Sequence, residues 1–293
     1  MKKIILSSFL VLTFLFNFIP ASAQTNQQAN KTAAAATAKQ AGIEVPFVNK
    51  VLPNGFEIIV LPDKSVPLVT VELAVRNGSF TEPPELNGLS HLYEHMFFKP
   101  HQGELLYRCE LAQKFGNFQY FNRSGCSETL KLRSTIGSVY YLDDSGQLDI
   151  RNASTREEVV NYYFTTTSPY LGSAIRFIND AIRYPTFDKD ELQQEIVVVL
   201  GEMDRNESNP FFYLNREIND KLFYKYPTRK NPLGTRETVT AATVEKMRLI
   251  QERYYVPNNS ALIVTGDADP QEVFKLAEQV FGTWEKRKVD PFK

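Results

Sequence analysis

Hydrophobic and polar positions along the chain repeat with two periods, and these divide it into strands and helices. Residues 48–61 (VNKVLPNGFEIIVL) hold two β-rich runs joined at Pro53-Asn54-Gly55, the pattern of a hairpin. Residues 66–75 (VPLVTVELAV) alternate as a third strand, closed by Arg76-Asn77-Gly78. A turn-rich stretch over 82–88 leads into an apolar-periodic segment from Leu89, which is predicted to be helical. Residues 104–115 predict a second helix that stops at Gly116, a natural C-terminal position. Residues 117–151 lack helical periodicity and carry Gly125, Gly137, Gly146 and the turn Asp143-Asp144-Ser145-Gly146, so short strands and loops are expected there as an insertion. Residues 159–166 (VVNYYFTT) are a strand of β-branched and aromatic side chains. Helices follow over 171–184, ended by Pro185, and over 188–206 and 243–253; a strand at 260–265 ends in Gly266-Asp267, and a last helix spans 271–281. Strands towards both ends with helices between them predict an α+β domain, a mostly antiparallel sheet with helices packed on one face.

The N-terminus follows a different pattern. Lys2 and Lys3 precede an apolar run over 4–19, and Ala21-Ser22-Ala23 forms a small-x-small cleavage site before Gln24. This reads as an export signal over 1–23. An uncleaved membrane anchor is the competing reading, and the interruptions at Asn17 and Pro20 speak against it. Residues 24–45 hold almost no large apolar side chains and are expected to be a flexible linker. A single domain over 46–290 remains, with no further stretch apolar enough to span a bilayer. The expected location is therefore the periplasm or outside the cell.

Charge excludes one class of partner. The 33 basic and 34 acidic residues nearly cancel and no basic stripe forms, so nothing points to nucleic acid. The two cysteines, Cys109 and Cys126, would meet an oxidising compartment where they could bridge. Sequence separation does not fix Cβ geometry, so a disulfide and two packed free thiols both stay open.

Candidate chemistry enters with the histidines, two of which lie in His91-Leu92-Tyr93-Glu94-His95. On a helix, positions i and i+4 share a face, so both imidazoles can reach one cation. Glu94 lies close to that face, where it could activate a water. The order H-x-x-E-H is that of the inverzincins, the reverse of H-E-x-x-H. Zn²⁺ takes imidazole nitrogen and carboxylate oxygen, and a catalytic site uses three protein ligands and keeps one open position. A third ligand must come from elsewhere. Residues 191–202 (ELQQEIVVVLGE) place Glu195 and Glu202 seven residues apart, two turns along one helix face. The apolar run over 196–200 implies a buried helix, where an unpaired carboxylate would be costly. Spacing alone does not choose between the two glutamates, nor does it exclude a solvated pair.

These residues belong to a longer ordered series that resembles the pitrilysin/insulinase family of zinc metallopeptidases, which includes the mitochondrial processing peptidases. The likeness covers roughly 46–285. Gly88-Leu89-Ser90-His91-Leu92-Tyr93-Glu94-His95-Met96-Phe97-Phe98-Lys99 resembles the family's zinc helix, and Asn152-Ala153-Ser154-Thr155 its N-A-x-T edge strand. Pro185-Thr186-Phe187 with the Glu195/Glu202 helix, Asn231-Pro232-Leu233-Gly234-Thr235, Tyr254-Tyr255-Val256-Pro257-Asn258-Asn259 and Gly266-Asp267 are similar to its later landmarks. The resemblance implies a LuxS/processing-peptidase-like metallohydrolase fold. It implies Zn²⁺ held by His91, His95 and Glu202, with Glu94 as general base and Glu195 supporting the site from behind. It also implies an unfolded peptide substrate added as a strand at a sheet edge, with Asn152 and Ala153 in contact with it.

Two departures qualify what the resemblance implies. The gap from His95 to Glu202 (202 − 95 = 107) is longer than the family usually shows. The surplus lies between Gly116 and Asn152, next to the expected peptide edge, where it would restrict access or be an ordinary surface loop. Family members also work as paired homologous halves, the second contributing Arg and Tyr side chains that hold substrate over the metal. The sequence to Lys293 holds one such half. The expected function is thus a zinc-dependent endopeptidase that needs a second homologous half. The alternative is a peptide-binding or scaffold subunit that is inactive alone.

Overall fold

Period-two alternation builds the sheet. The computed structural model describes residues 46–136, 148–225 and 230–289; the expected export signal and linker lie outside the described residues. Strands β1 (Val48–Val51), β2 (Glu57–Pro62), β3 (Leu68–Val75), β4 (Leu148–Thr155), β5 (Val160–Thr167) and β6 (Ser260–Gly266) form one sheet in the order β1-β2-β6-β3-β5-β4. Neighbours are antiparallel except β2 and β6. On β3, Val69, Val71, Leu73 and Val75 are buried, and in register Val71 lies between Phe164 of β5 and Val264 of β6. These side chains, with Ile58, Val60, Tyr162 and Leu262, make one apolar face that only a helical layer can cover. The other face carries polar pairs, including Thr70 with Thr165 at 2.8 Å and Asn161 donating to Glu72 at 2.8 Å.

Helices α1 (Leu89–Phe97), α2 (Gln102–Lys114), α3 (Phe118–Arg123), α4 (Cys126–Thr129), α5 (Arg133–Ile136), α6 (Leu171–Arg183), α7 (Lys189–Glu207), α8 (Pro210–Leu222), α9 (Arg236–Thr240), α10 (Val244–Tyr254) and α11 (Pro270–Phe281) complete the described chain. The α+β expectation holds: α1, α6 and α11 pack on the apolar face of the sheet. On α6, Leu171, Ala174, Ile175, Ile178 and Ile182 form the buried stripe expected of a helix lying on a sheet. Asp188 caps α7 by accepting from the backbone N–H groups of Asp190 and Glu191 at 2.9 and 3.1 Å. Among the described residues, no helix is long and apolar enough to cross a membrane.

The insertion differs from its sequence reading. Residues 118–136 form the short helices α3 to α5 and a 3-10 turn, not strands, and β4 begins at Leu148, inside the range taken as insertion. Helices of four to six residues present too few turns for apolar periodicity to register. A disulfide joins Cys109 of α2 to Cys126 of α4, which closes the question the sequence left open. The apolar run over 196–200 is also not wholly buried: Val197 and Val198 are exposed, and α7 buries only the face carrying Leu192, Glu195, Ile196, Val199 and Met203.

Candidate metal centre

The start of α1 is set by buried groups around it. Gly88 caps the helix at φ 88°, and a Cβ there would lie 2.6 Å from the carbonyl oxygen of Leu233, so glycine meets both the backbone angle and the close approach. Glu82, only 2 % exposed, accepts from the backbone N–H groups of Gly88 at 2.9 Å and Ser90 at 2.6 Å and from Asn87 Nδ2 at 3.1 Å. A carboxylate at that end is favoured by the helix dipole. Thr238 Oγ1 donates to the Asn87 carbonyl at 2.7 Å, so the Asn231–Thr235 landmark and α9 brace the helix start. On the buried side, Tyr93 stacks on Tyr255 with ring centroids 4.0 Å apart, and the Tyr255 hydroxyl meets that of Tyr162 at 2.7 Å. Leu92, Met96 and Phe97 are buried beside them. The face left over carries His91, Glu94 and His95.

α7 packs against α1 through its apolar stripe and brings two carboxylates to that face. Glu202 Oε2 lies 3.6 Å from His91 Nε2 and 3.8 Å from His95 Nε2. The ligand atoms of His91, His95 and Glu202 all fall within 4.8 Å of one another, near enough for a small closure to bring all three within bonds of about 2.0–2.2 Å to one ion. Their side chains are 13, 17 and 30 % exposed, which leaves one side of the cluster open to solvent. Burial, and secondarily the neighbouring His95, lowers the His91 pKa to about 4, so this imidazole is neutral at pH 7 with a lone pair to give. Two imidazoles and a carboxylate suit a divalent metal of the zinc type.

Glu195 lies behind the cluster. Its Oε2 is 2.9 Å from His95 Nδ1 and its Oε1 is 2.6 Å from Lys99 Nζ, while Lys99 also reaches Glu191 at 3.0 Å. Burial alone would raise the Glu195 pKa, but hydrogen bonds from Lys99 and His95 outweigh it and the net shift is downward. Glu195 is thus held as an anion that orients His95. Among the described residues His91 has no such anchor: its Nδ1 is buried without a hydrogen bond.

Glu94 has the opposite balance. Burial raises its pKa, the Glu202 charge adds to the rise, and the hydrogen bond from Thr155 and the charge of His95 oppose it. Thr155 Oγ1 donates to Glu94 Oε2 at 2.6 Å, which ties the acid to the end of β4. Among the described residues that strand is the outer edge of the sheet, paired with β5 alone, and Asn152 is exposed on it while Ala153 is partly buried against the core. The sequence-predicted residues therefore converge: His91, His95 and Glu202 meet, with Glu94 and Glu195 on either side. Asn152 and Ala153 stand on the neighbouring edge. Sequence reasoning gave no role to Glu82, Lys99 or Thr155. Period two places Thr155 on the same face as Ala153, a usable signal; the parts played by Glu82 and Lys99 depend on the folded path of the chain. A cavity of 960 Å³ adjoins the far end of α7, lined by Asn87, Glu157, Met203, Glu207 and Phe212, and none of the metal-cluster side chains lines it.

A family model described as Insulinase (Peptidase family M16) matches residues 58–111 and 129–236, more than half of the chain, and one described as Peptidase M16 inactive domain matches 241–293. The chain is 26% identical over 234 residues to an uncharacterized zinc protease of Bacillus subtilis, YmxG, covering 80% of this chain and 49% of that protein. It is 22% identical over 232 residues to the zinc protease PqqE of Helicobacter pylori, covering 78% and 45%. The first half of the periplasmic protease PqqL from Escherichia coli has the same fold, with a TM-score of 0.63 at 20% identity, covering 83% of this chain and 47% of that one. The chain spans about half the length of these curated relatives. Because the first of those family models covers more than half of its residues, the chain belongs to the insulinase family, peptidase family M16.

Proposed function

We propose that this chain is the metal-binding half of an exported zinc endopeptidase that hydrolyses unfolded peptides. The observation that carries the reading is the convergence of His91, His95 and Glu202 within 4.8 Å, with Glu94 one residue before His95 on the same helix. His91, His95 and Glu202 would hold Zn²⁺, which would supply Lewis acidity to lower the pKa of a water towards neutrality and to polarise a peptide carbonyl. Glu94 takes the proton of the attacking water and passes it to the departing amine, a task suited by a pKa raised through burial. Thr155 holds the Glu94 carboxylate towards the edge strand, and Glu195 keeps His95 in the tautomer that presents Nε2.

Substrate pairs with the free edge of β4 as an added strand, in contact with Asn152 and Ala153. A second homologous half completes the chamber and supplies Arg and Tyr contacts to the peptide; the half-length match to the curated relatives supports this. The signal-like residues 1–23 and the periplasmic relative support export.

The test separates chemistry from metal binding. In the complete assembly, Glu94→Gln should cut peptide hydrolysis by roughly 10²–10⁴-fold while zinc content stays unchanged. His91→Ala should lose zinc and activity together. Cleavage at the normal rate by Glu94→Gln would overturn the mechanism. Full activity of the chain without a homologous half would remove the need for one.

A further inference from the structure

We infer that Lys99 is a positioning residue of the metal centre, one that orients Glu195 so that its second oxygen fixes the ring of His95. The inference rests on the zinc reading above and extends it to a side chain that contacts neither metal ligand nor substrate. Lys99 stands four residues after His95, just past the end of α1, and its ammonium lies between Glu191 and Glu195 of α7. The two contacts are unequal: 2.6 Å to Glu195, whose side chain is 11 % exposed, and 3.0 Å to Glu191, which is 33 % exposed.

The geometry divides the Glu195 carboxylate between two partners. Oε2 takes the Nδ1 proton of His95 at 2.9 Å, and Oε1 takes a Lys99 proton. The carboxylate is too sheltered for water to replace Lys99 freely, and a buried carboxylate oxygen without a partner is costly. With Lys99 gone, Glu195 relieves that cost by rotating towards solvent, and that change withdraws the acceptor that fixes His95. Outer-shell partners of this kind typically account for roughly 10–100-fold in metal affinity. The simpler alternative is a surface ion pair that adds a little stability and does not affect the metal.

Zinc dissociation constants of the full chain, measured by competition with a chromophoric chelator, decide between them. Lys99→Met is expected to weaken zinc binding by roughly ten-fold. Lys99→Arg, which keeps the charge and the donors, should recover most of the loss, and Glu191→Gln should change affinity little. In a Glu195→Gln background, Lys99→Met should have no further effect, because the route through Glu195 is already cut. Unchanged affinity in Lys99→Met, or an equal loss in the Glu195→Gln background, would overturn the inference. The urea midpoint of the metal-free chain should move little; if Lys99→Met does not fold, Lys99→Gln carries the same comparison. A wild-type chain that takes up no zinc would sink the zinc reading itself, an outcome distinct from zinc binding that ignores Lys99.

Discussion

The helix that carries the histidines and the helices inserted between α2 and β4 are held by different means. α1 buries Leu89, Ser90, Leu92, Tyr93, Met96 and Phe97 and is capped by a buried carboxylate. α3 and α5 bury no side chain, and α4 buries only Cys126. One region is fixed on several sides by packing, the other by a covalent bond to Cys109 and by surface contacts such as the Arg133–Glu110 ion pair. Donor atoms that must meet within a few ångströms need the first kind of support, because a small misplacement loses the site. A segment that makes none of the site's contacts can be tethered by the second. The difference teaches that the histidine helix and the described part of the insertion should respond separately to perturbation.

The largest effect that sharpens this contrast is expected from Leu92→Ala. Leu92 is fully buried on the same side of α1 as Tyr93, and removing it leaves a cavity under the helix. The cost should be about 2–5 kcal/mol in urea unfolding of the metal-free chain. A cost below about 1 kcal/mol would mean that α1 is not held by packing.

Next in size is reduction of the Cys109–Cys126 bond, or Cys126→Ser. The bond closes a loop with a sequence separation of 17, which constrains the unfolded chain by about 3 kcal/mol. Because α3 to α5 have little burial to fall back on, the loss should appear as local opening. Hydrogen exchange is expected to speed up over 117–136 while the amides of β3 and β5 keep their protection. Equal acceleration in β3 and β5 would show that the insertion supports the sheet after all, and the contrast would fail.

The same contrast explains what could be read in the sequence. β3 alternates because one face is buried, so period two was legible there, while β2, β5 and β6 were legible as runs of β-branched, apolar and aromatic side chains. The histidine helix was legible because i, i+4 spacing has one geometric meaning. Spacing left Glu195 and Glu202 equal, and family likeness ranked them; the fold separates them physically, since Glu195 lies on the buried stripe beneath His95 and Glu202 beside both rings. Helix α8 was not predicted: its apolar positions Phe211, Leu214, Ile218 and Leu222 have helical spacing, yet each is exposed and none joins the core. α9, with five residues, is too short to show a period. Glu82 gave no signal, because its partners are backbone N–H groups whose direction exists only once Gly88 turns the chain.

The last prediction concerns α2, which joins the two regions: Leu106 is buried in it and Cys109 bonds outward from it. His101, the histidine outside the motif, sits at its start, pairs with Pro185 as an isolated bridge, and accepts the Glu104 backbone N–H at Nδ1 at 3.3 Å. Burial lowers its pKa to about 4, against an ordinary value near 6.5. Between those values the unfolded chain binds a proton that the folded chain refuses, so stability falls as pH drops from about 6.5 to about 4 and gains nothing from this residue above that window. Protonating Nδ1 would also remove the acceptor that caps α2. The full swing is roughly 3 kcal/mol, of which about 2 kcal/mol should be lost by pH 5. His101→Asn keeps a capping acceptor and removes the titration. The stability gap between wild type and His101→Asn, measured on metal-free chains, should therefore shift in favour of the variant as pH falls from 7 to 5. His91 titrates alike in both chains and cancels in that difference. A gap that stays constant would mean that the histidine cap of α2 adds nothing that pH can remove.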